Sequence, residues 1–154
     1  MPITKLYHTW MQKINQLLPN ERITRVRNLA WLLTGIFMSK SVHLSKVASK
    51  IPGRARLISI TRRLDRFLEN AEFRVRDWYE PIAKRLLEQR AGSEYCLIVD
   101  GSKVGFGHQL LMIALAYRRR ALPLVWMWVR CSRGHSTAGR QLALLGYLYK
   151  LLPL

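Results

Sequence analysis

The chain has 154 residues, 26 Lys+Arg against 9 Asp+Glu, a formal charge of +17 and 49% hydrophobic residues. The hydrophobic share excludes a disordered basic tail, and the length is enough to bury a core without disulfide or metal staples. So large a charge calls for an anionic partner, nucleic acid first and an anionic membrane surface second.

Up to about Gly92 the apolar residues recur at helical spacing. Ile3, Leu6, Tyr7, Trp10, Ile14, Leu17 and Leu18 predict a first helix, ended by Pro19-Asn20. Ile23, Val26, Ala30, Leu33 and Phe37, thickened by Leu29, Leu32 and Ile36, predict a second that is nearly surrounded by protein. A short helix around Leu44, Val47, Ala48 and Ile51 stops at Pro52-Gly53. The next carries Leu57, Ile60, Leu64, Phe67 and Leu68 inward, and a further one carries Val75, Trp78, Ile82 and Leu86. Pro81 falls inside that last helix and either kinks it or restarts it.

Beyond Gly92 the period changes. Tyr95–Val99 reads as a strand buried on both faces, Leu110–Tyr117 as a second strand, and Ala121–Val129 as a third with period two and both faces apolar. Arg118–Arg120 makes a short hairpin link without the Asn-Gly type of residue such turns prefer. Leu142, Leu145, Leu148, Tyr149 and Leu152 then return to helical spacing, with Ser136 or Thr137 as the N-cap. The expected class is α+β: a helical domain over 1–92, then a β-β-β-α unit over 93–154 that asks for a further layer.

No apolar stretch reaches the roughly 20 residues of a spanning helix, and Arg118–Arg120 interrupts the longest apolar region. No secretory signal opens the chain, and two cysteines imply no disulfide framework. A soluble, reducing, cytoplasmic setting is expected, without a membrane partner.

Residues 1–92 carry 18 basic and 7 acidic residues, a net of +11, and residues 93–154 carry +6. The charge is densest over 40–66, where Lys40, Lys46, Lys50, Arg54, Arg56, Arg62, Arg63 and Arg66 face Asp65 alone. Two helices around a tight turn near 43–70 resemble a helix-turn-helix, whose second helix enters a DNA major groove. Arg62, Arg63 and Arg66 fall on one side of that helix, and guanidinium groups suit phosphate or a guanine edge. Lys46, Lys50, Arg54, Arg56, Arg62, Arg63 and Arg66 are the candidate DNA contacts. A solvated basic face on an ordinary helix is the plainer alternative.

Among residues 93–154 the acids are Glu94 and Asp100. Asp100 ends an apolar strand, a position used to hold Mg²⁺ beside a phosphate. Asp100-Gly101 is also an ordinary turn pair. Leu97–Ser102, Ala114–Arg118, Ala121–Trp126 and Gly134-His135-Ser136 together resemble the start of the catalytic domain of DDE-type insertion-sequence transposases.

That resemblance implies an RNase H-like fold with Asp100 as the first catalytic, metal-binding carboxylate, and Ser102 and Lys103 in supporting places. It also implies a helical DNA-binding domain before the catalytic one. The family's second Asp and its Glu come on later elements, so Mg²⁺ or Mn²⁺ is expected to bind only with those supplied, and this chain alone is expected to be inactive. The implied partners are double-stranded transposon ends and a second copy or the full-length transposase, on the bacterial nucleoid. The other reading is a non-enzymatic DNA-binding regulator or inhibitor derived from a transposase remnant, which needs the basic helices but not Asp100. A basic RNA- or membrane-surface protein is a weaker third, because the charges lie on short helices rather than on one long amphipathic stripe.

Cys131 and His135 have a metal-like spacing but lack the second pair a structural zinc needs. Cys96 and most of the tryptophans (Trp10, Trp31, Trp78, Trp126, Trp128) read as core residues. No phosphate-loop or dinucleotide fingerprint is present.

Overall fold

A computed structural model describes residues 2–72, 74–90, 92, 94–105, 107–130 and 136–153. They form an α+β architecture of six helices and one three-stranded antiparallel sheet. The elements are α1 (Ile3–Leu17), α2 (Ile23–Ser39), α3 (Leu44–Ala48), α4 (Leu57–Leu68), α5 (Val75–Glu88), β1 (Leu97–Lys103), β2 (His108–Tyr117), β3 (Arg120–Arg130) and α6 (Ala138–Tyr149). Cys131 and His135 lie outside the described residues.

Contacts divide the chain into two units, Met1–Trp78 and Tyr79–Leu154. The division falls inside α5, ahead of the expected boundary at 92. Trp78 packs into the core of the first helices, whereas Ala83 and Leu87 pack into that of the sheet. Pro81 sits within α5 without ending it. Its missing N–H removes one rung of the helix ladder next to the division.

In the first unit, Leu6 and Ile14 of α1, Val26, Ala30 and Leu32 of α2, and Val47, Ala48, Ile60, Leu64 and Phe67 further on are buried. Tyr7 stacks on Trp31 with ring centroids 3.9 Å apart, joining α1 to α2. Helix α2 is less enclosed than expected, since Ile23 and Phe37 are exposed. Lys40 ends it in the left-handed region, φ +54°, with its ammonium 4.3 Å from the Phe37 ring centre. On α4, Leu57 and Leu68 are exposed, not inward. The buried stripe is narrower, because Ile60, Leu64 and Phe67 already span the side that faces α2 and α3.

In the second unit the strand order is β1-β2-β3. Leu97 pairs with Leu115 and Lys103 with Gln109 across the first hairpin. Strand side chains alternate, so Gln109, Leu111, Ile113 and Leu115 share one face, and all four are buried. Leu144, Leu148 and Leu151 pack into that core together with Ala83 and Leu87. A bulge sets Leu124 beside Val125 where β3 passes Ile113, and both are buried.

Three expectations for this unit are corrected. β1 is not buried on both faces: Leu97, Ile98 and Val99 are 37%, 40% and 45% exposed. It is an edge strand, and α6 packs over β2 and β3. Cys96, expected in the core, is exposed for the same reason. Helix α6 turns Leu144 and Leu148 inward, with Leu151 buried just beyond its end, while Leu142, Leu145 and Tyr149 of the expected stripe are exposed. Apolar residues lie all round this helix, so periodicity alone does not choose its inner side.

Candidate nucleic-acid interface

Helix α3 is held against α2 by a close approach at Gly35. A Cβ at that position would lie 2.5 Å from Val47 Cγ1 and 2.9 Å from the Val47 carbonyl oxygen, so only glycine fits. With Val47, Ala48 and Ile51 buried on α2, and Ile60, Leu64 and Phe67 completing the core, the remaining sides of α3 and α4 face solvent.

Of the seven candidate contacts, Lys46 is on α3, Arg62, Arg63 and Arg66 are on α4, and Lys50, Arg54 and Arg56 lie in the link between them. Lys46, Lys50, Arg54, Arg56, Arg62, Arg63 and Arg66 are all exposed. Arg62 and Arg66 stand one turn apart, opposite the buried stripe, and Arg66 Nε donates to the Arg62 carbonyl at 3.4 Å. None of the seven pairs with a carboxylate among the described residues. Helix α4 also starts with no acid in its first turn and no side-chain cap at Arg56. Its free N–H groups and the positive end of its dipole add to the charge of Arg54 and Arg56. The result is positive charge at both the helix flank and the helix start.

A partly buried ionic cluster steadies this unit, and beyond its i,i+4 pair Glu21–Arg25 it gives no signal in the sequence pattern. Glu21 accepts from the Arg22 N–H at 2.8 Å, from Arg25 at 3.1 Å and from the Trp78 indole at 3.1 Å. Arg25 also pairs with Glu72. Burial pushes the Glu21 carboxyl up, but these donors and the Arg25 charge outweigh it, so its pKa lies below the usual carboxylate value. The cluster ties the start of α2 to the start of α5.

Asp100 belongs to the second unit. It does not end its strand; it is the middle residue of β1, which continues through Ser102 to Lys103. The turn comes later, at Gly105 and Gly107 with φ of +63° and +77°. Asp100-Gly101 is therefore not a turn pair. Gly101 has another reason to be glycine: a Cβ there would lie 2.0 Å from Nε2 of the buried Gln109. Asp100 is exposed and shares its sheet face with Ile98 and Ser102, whereas Lys103 lies on the opposite, Gln109 face. Ser102 is thus placed beside Asp100 and Lys103 is not.

Among the described residues no group of three or more His, Cys, Asp or Glu could hold a metal ion. A two-metal centre needs several carboxylates. The residues present do not fit one, and Asp100 supplies a single ligand.

No protein-family model, curated protein or solved structure matches the chain. The described helices include none long and apolar enough to cross a membrane.

Sequence reasoning missed one feature of the α4 surface. Ile58, 57% exposed, lies at the start of α4 opposite the buried stripe, whereas Leu57, 50% exposed, falls on the Ile60–Leu64 side and is left open at the helix end. The signal for Ile58 was available, because Ile58, Arg62 and Arg66 recur every four residues, out of phase with Ile60, Leu64 and Phe67. In the second unit the hairpin residue Arg118, expected in the link, is held at φ +55° with its guanidinium 5.4 Å from the Tyr117 ring centre.

Proposed function

We propose that the chain binds duplex DNA through the α3–α4 segment and that it serves DDE-type transposition as a recognition part for transposon ends. The observation that carries the DNA reading is the division of α4: its apolar residues Ile60, Leu64 and Phe67 are buried, while seven cations of the 46–66 stretch are exposed. Charges that merely solubilise a segment would be closer to balanced in sign, and this stretch sets Asp65 alone against seven cations. The transposition reading is supported by the order of elements, basic helices then β-β-β-α, and by a carboxylate on the first strand. In this proposal the second unit corresponds to the opening of an RNase H-like domain, with Asp100 as its first acid.

The lone carboxylate favours binding without cutting, as in a regulator or competing inhibitor. Fluorescence anisotropy with labelled duplexes tests the binding. Affinity should fall steeply with salt. Replacing Arg62, Arg63 and Arg66 by Ala should weaken it roughly hundredfold and lower the salt slope by about one unit for each phosphate no longer neutralised. Unchanged affinity in the triple variant would place the surface elsewhere. The purified chain with Mg²⁺ should leave DNA intact; cleavage that Asp100→Ala abolishes would overturn the binding-only reading.

A further inference from the structure

Basic residues surround an apolar tip at the start of α4. Ile58 is 57% exposed, one turn before Arg62 and two before Arg66 along the row opposite the buried stripe. Leu57 beside it is 50% exposed. Arg54 and Arg56 precede the helix, and its first turn offers uncapped N–H groups. Two adjacent aliphatic residues left open at a helix start form an apolar surface within a strongly cationic one. Charge complementarity favours a polyanion as the partner, and one that also presents an apolar group in reach of the cations would cover Ile58.

Duplex DNA does so in the major groove, where the C5-methyl group of thymine projects. Guanine O6 and N7 lie in the same groove and accept from a guanidinium. Successive residues of the row Ile58–Arg62–Arg66 rise about 6 Å along the helix, nearly two base-pair steps. We infer that Ile58 is a specificity-determining residue, packing on a thymine methyl group about two base pairs from a guanine read by Arg62. This rests on the DNA-binding reading above and adds to it a sequence preference that phosphate contacts cannot supply.

The test begins with selection of duplexes from a randomised pool by the full chain. Each thymine of the selected site is then replaced by deoxyuridine, which deletes the methyl and keeps the base pair. One or two replacements should weaken binding by roughly three- to fivefold, the worth of one buried methyl-sized group. Ile58→Ala should bind the thymine and deoxyuridine duplexes equally. Leu57→Ala, checked by circular dichroism alongside it, separates a local methyl contact from a general loss of helix. If the chain binds duplexes yet no deoxyuridine replacement matters, or Ile58→Ala keeps the full methyl effect, this inference fails alone. If no duplex is bound at any salt, the DNA reading fails and takes the inference with it.

Discussion

The two units leave apolar surface open in different places. In the first, four helices and the start of α5 enclose Val26, Ala30, Val47 and Leu64 completely, and the exposed apolar residues, such as Ile23, Phe37, Val42, Ile58 and Leu68, sit at helix ends and in links. In the second, one face of the sheet is covered while Leu97, Ile98, Val99 and Trp128 remain 37–62% exposed. The contrast follows from geometry. A helix satisfies its own backbone and needs only its stripe covered, whereas a three-stranded sheet has two faces and two open edges. Closure in the first unit frees its surface for charged recognition. In the second, the apolar residues of β1 are left where a covering element would bury them.

Core truncation should separate the units most sharply. Leu64→Ala, at a site with no exposure, is expected to cost about 2–5 kcal/mol. Val99→Thr on the open strand should stay within about 0.5 kcal/mol. Urea unfolding followed by circular dichroism measures both, and equal costs would erase the contrast. Next in size is Gly35→Ala, where the added methyl meets the Val47 side chain and backbone. A loss of about 1–3 kcal/mol is expected, together with weaker DNA binding as α3 is displaced.

The acid stability of the first unit sharpens the comparison further. The folded pKa of Glu21 lies below its unfolded value, so its contribution is complete above the ordinary carboxylate range and disappears as pH falls through the folded value. Urea midpoints between about pH 5 and about pH 3 should drop less in Glu21→Gln than in the parent chain. A parallel decline in both would remove Glu21 from the account. The smallest expected effect is in the second unit: Arg118→Gly relieves a left-handed φ and should stabilise the hairpin by about 1 kcal/mol. A thermal melt that falls instead would mean that the Tyr117 contact outweighs the backbone cost.

The helical half is largely legible because period and burial coincide there: the spacing of Ile60, Leu64 and Phe67 marks core, and the seven basic residues of 46–66 mark surface. Leu57 and Leu68 were misplaced because an apolar residue at a helix end need not reach the core. The sheet was legible as three strands and a hairpin at Arg118-Arg119, but not in its burial. Leu97-Ile98-Val99 reads as a central strand, and only the strand order reveals an edge. Helix α6 misled for a related reason, since Leu142 and Leu144 are chemically alike and only packing tells them apart. Glu21 and Arg25 are legible as an i,i+4 pair, but their contacts to Trp78 and Glu72 span 57 and 47 residues and follow no local period.

Asp100 has a consequence for handling the protein as well as for chemistry. It is the one negative charge on β1, set among Ile98, Val99 and the free hydrogen-bonding edge of the strand. An ionised carboxylate there opposes the docking of a second apolar strand, because that would strip its water away. Removing the charge, the standard way to probe a suspected metal ligand, also removes this guard. Asp100→Ala or Asp100→Asn should therefore raise the tendency to self-associate at high protein concentration, and light scattering on each variant has to accompany any activity measured with it.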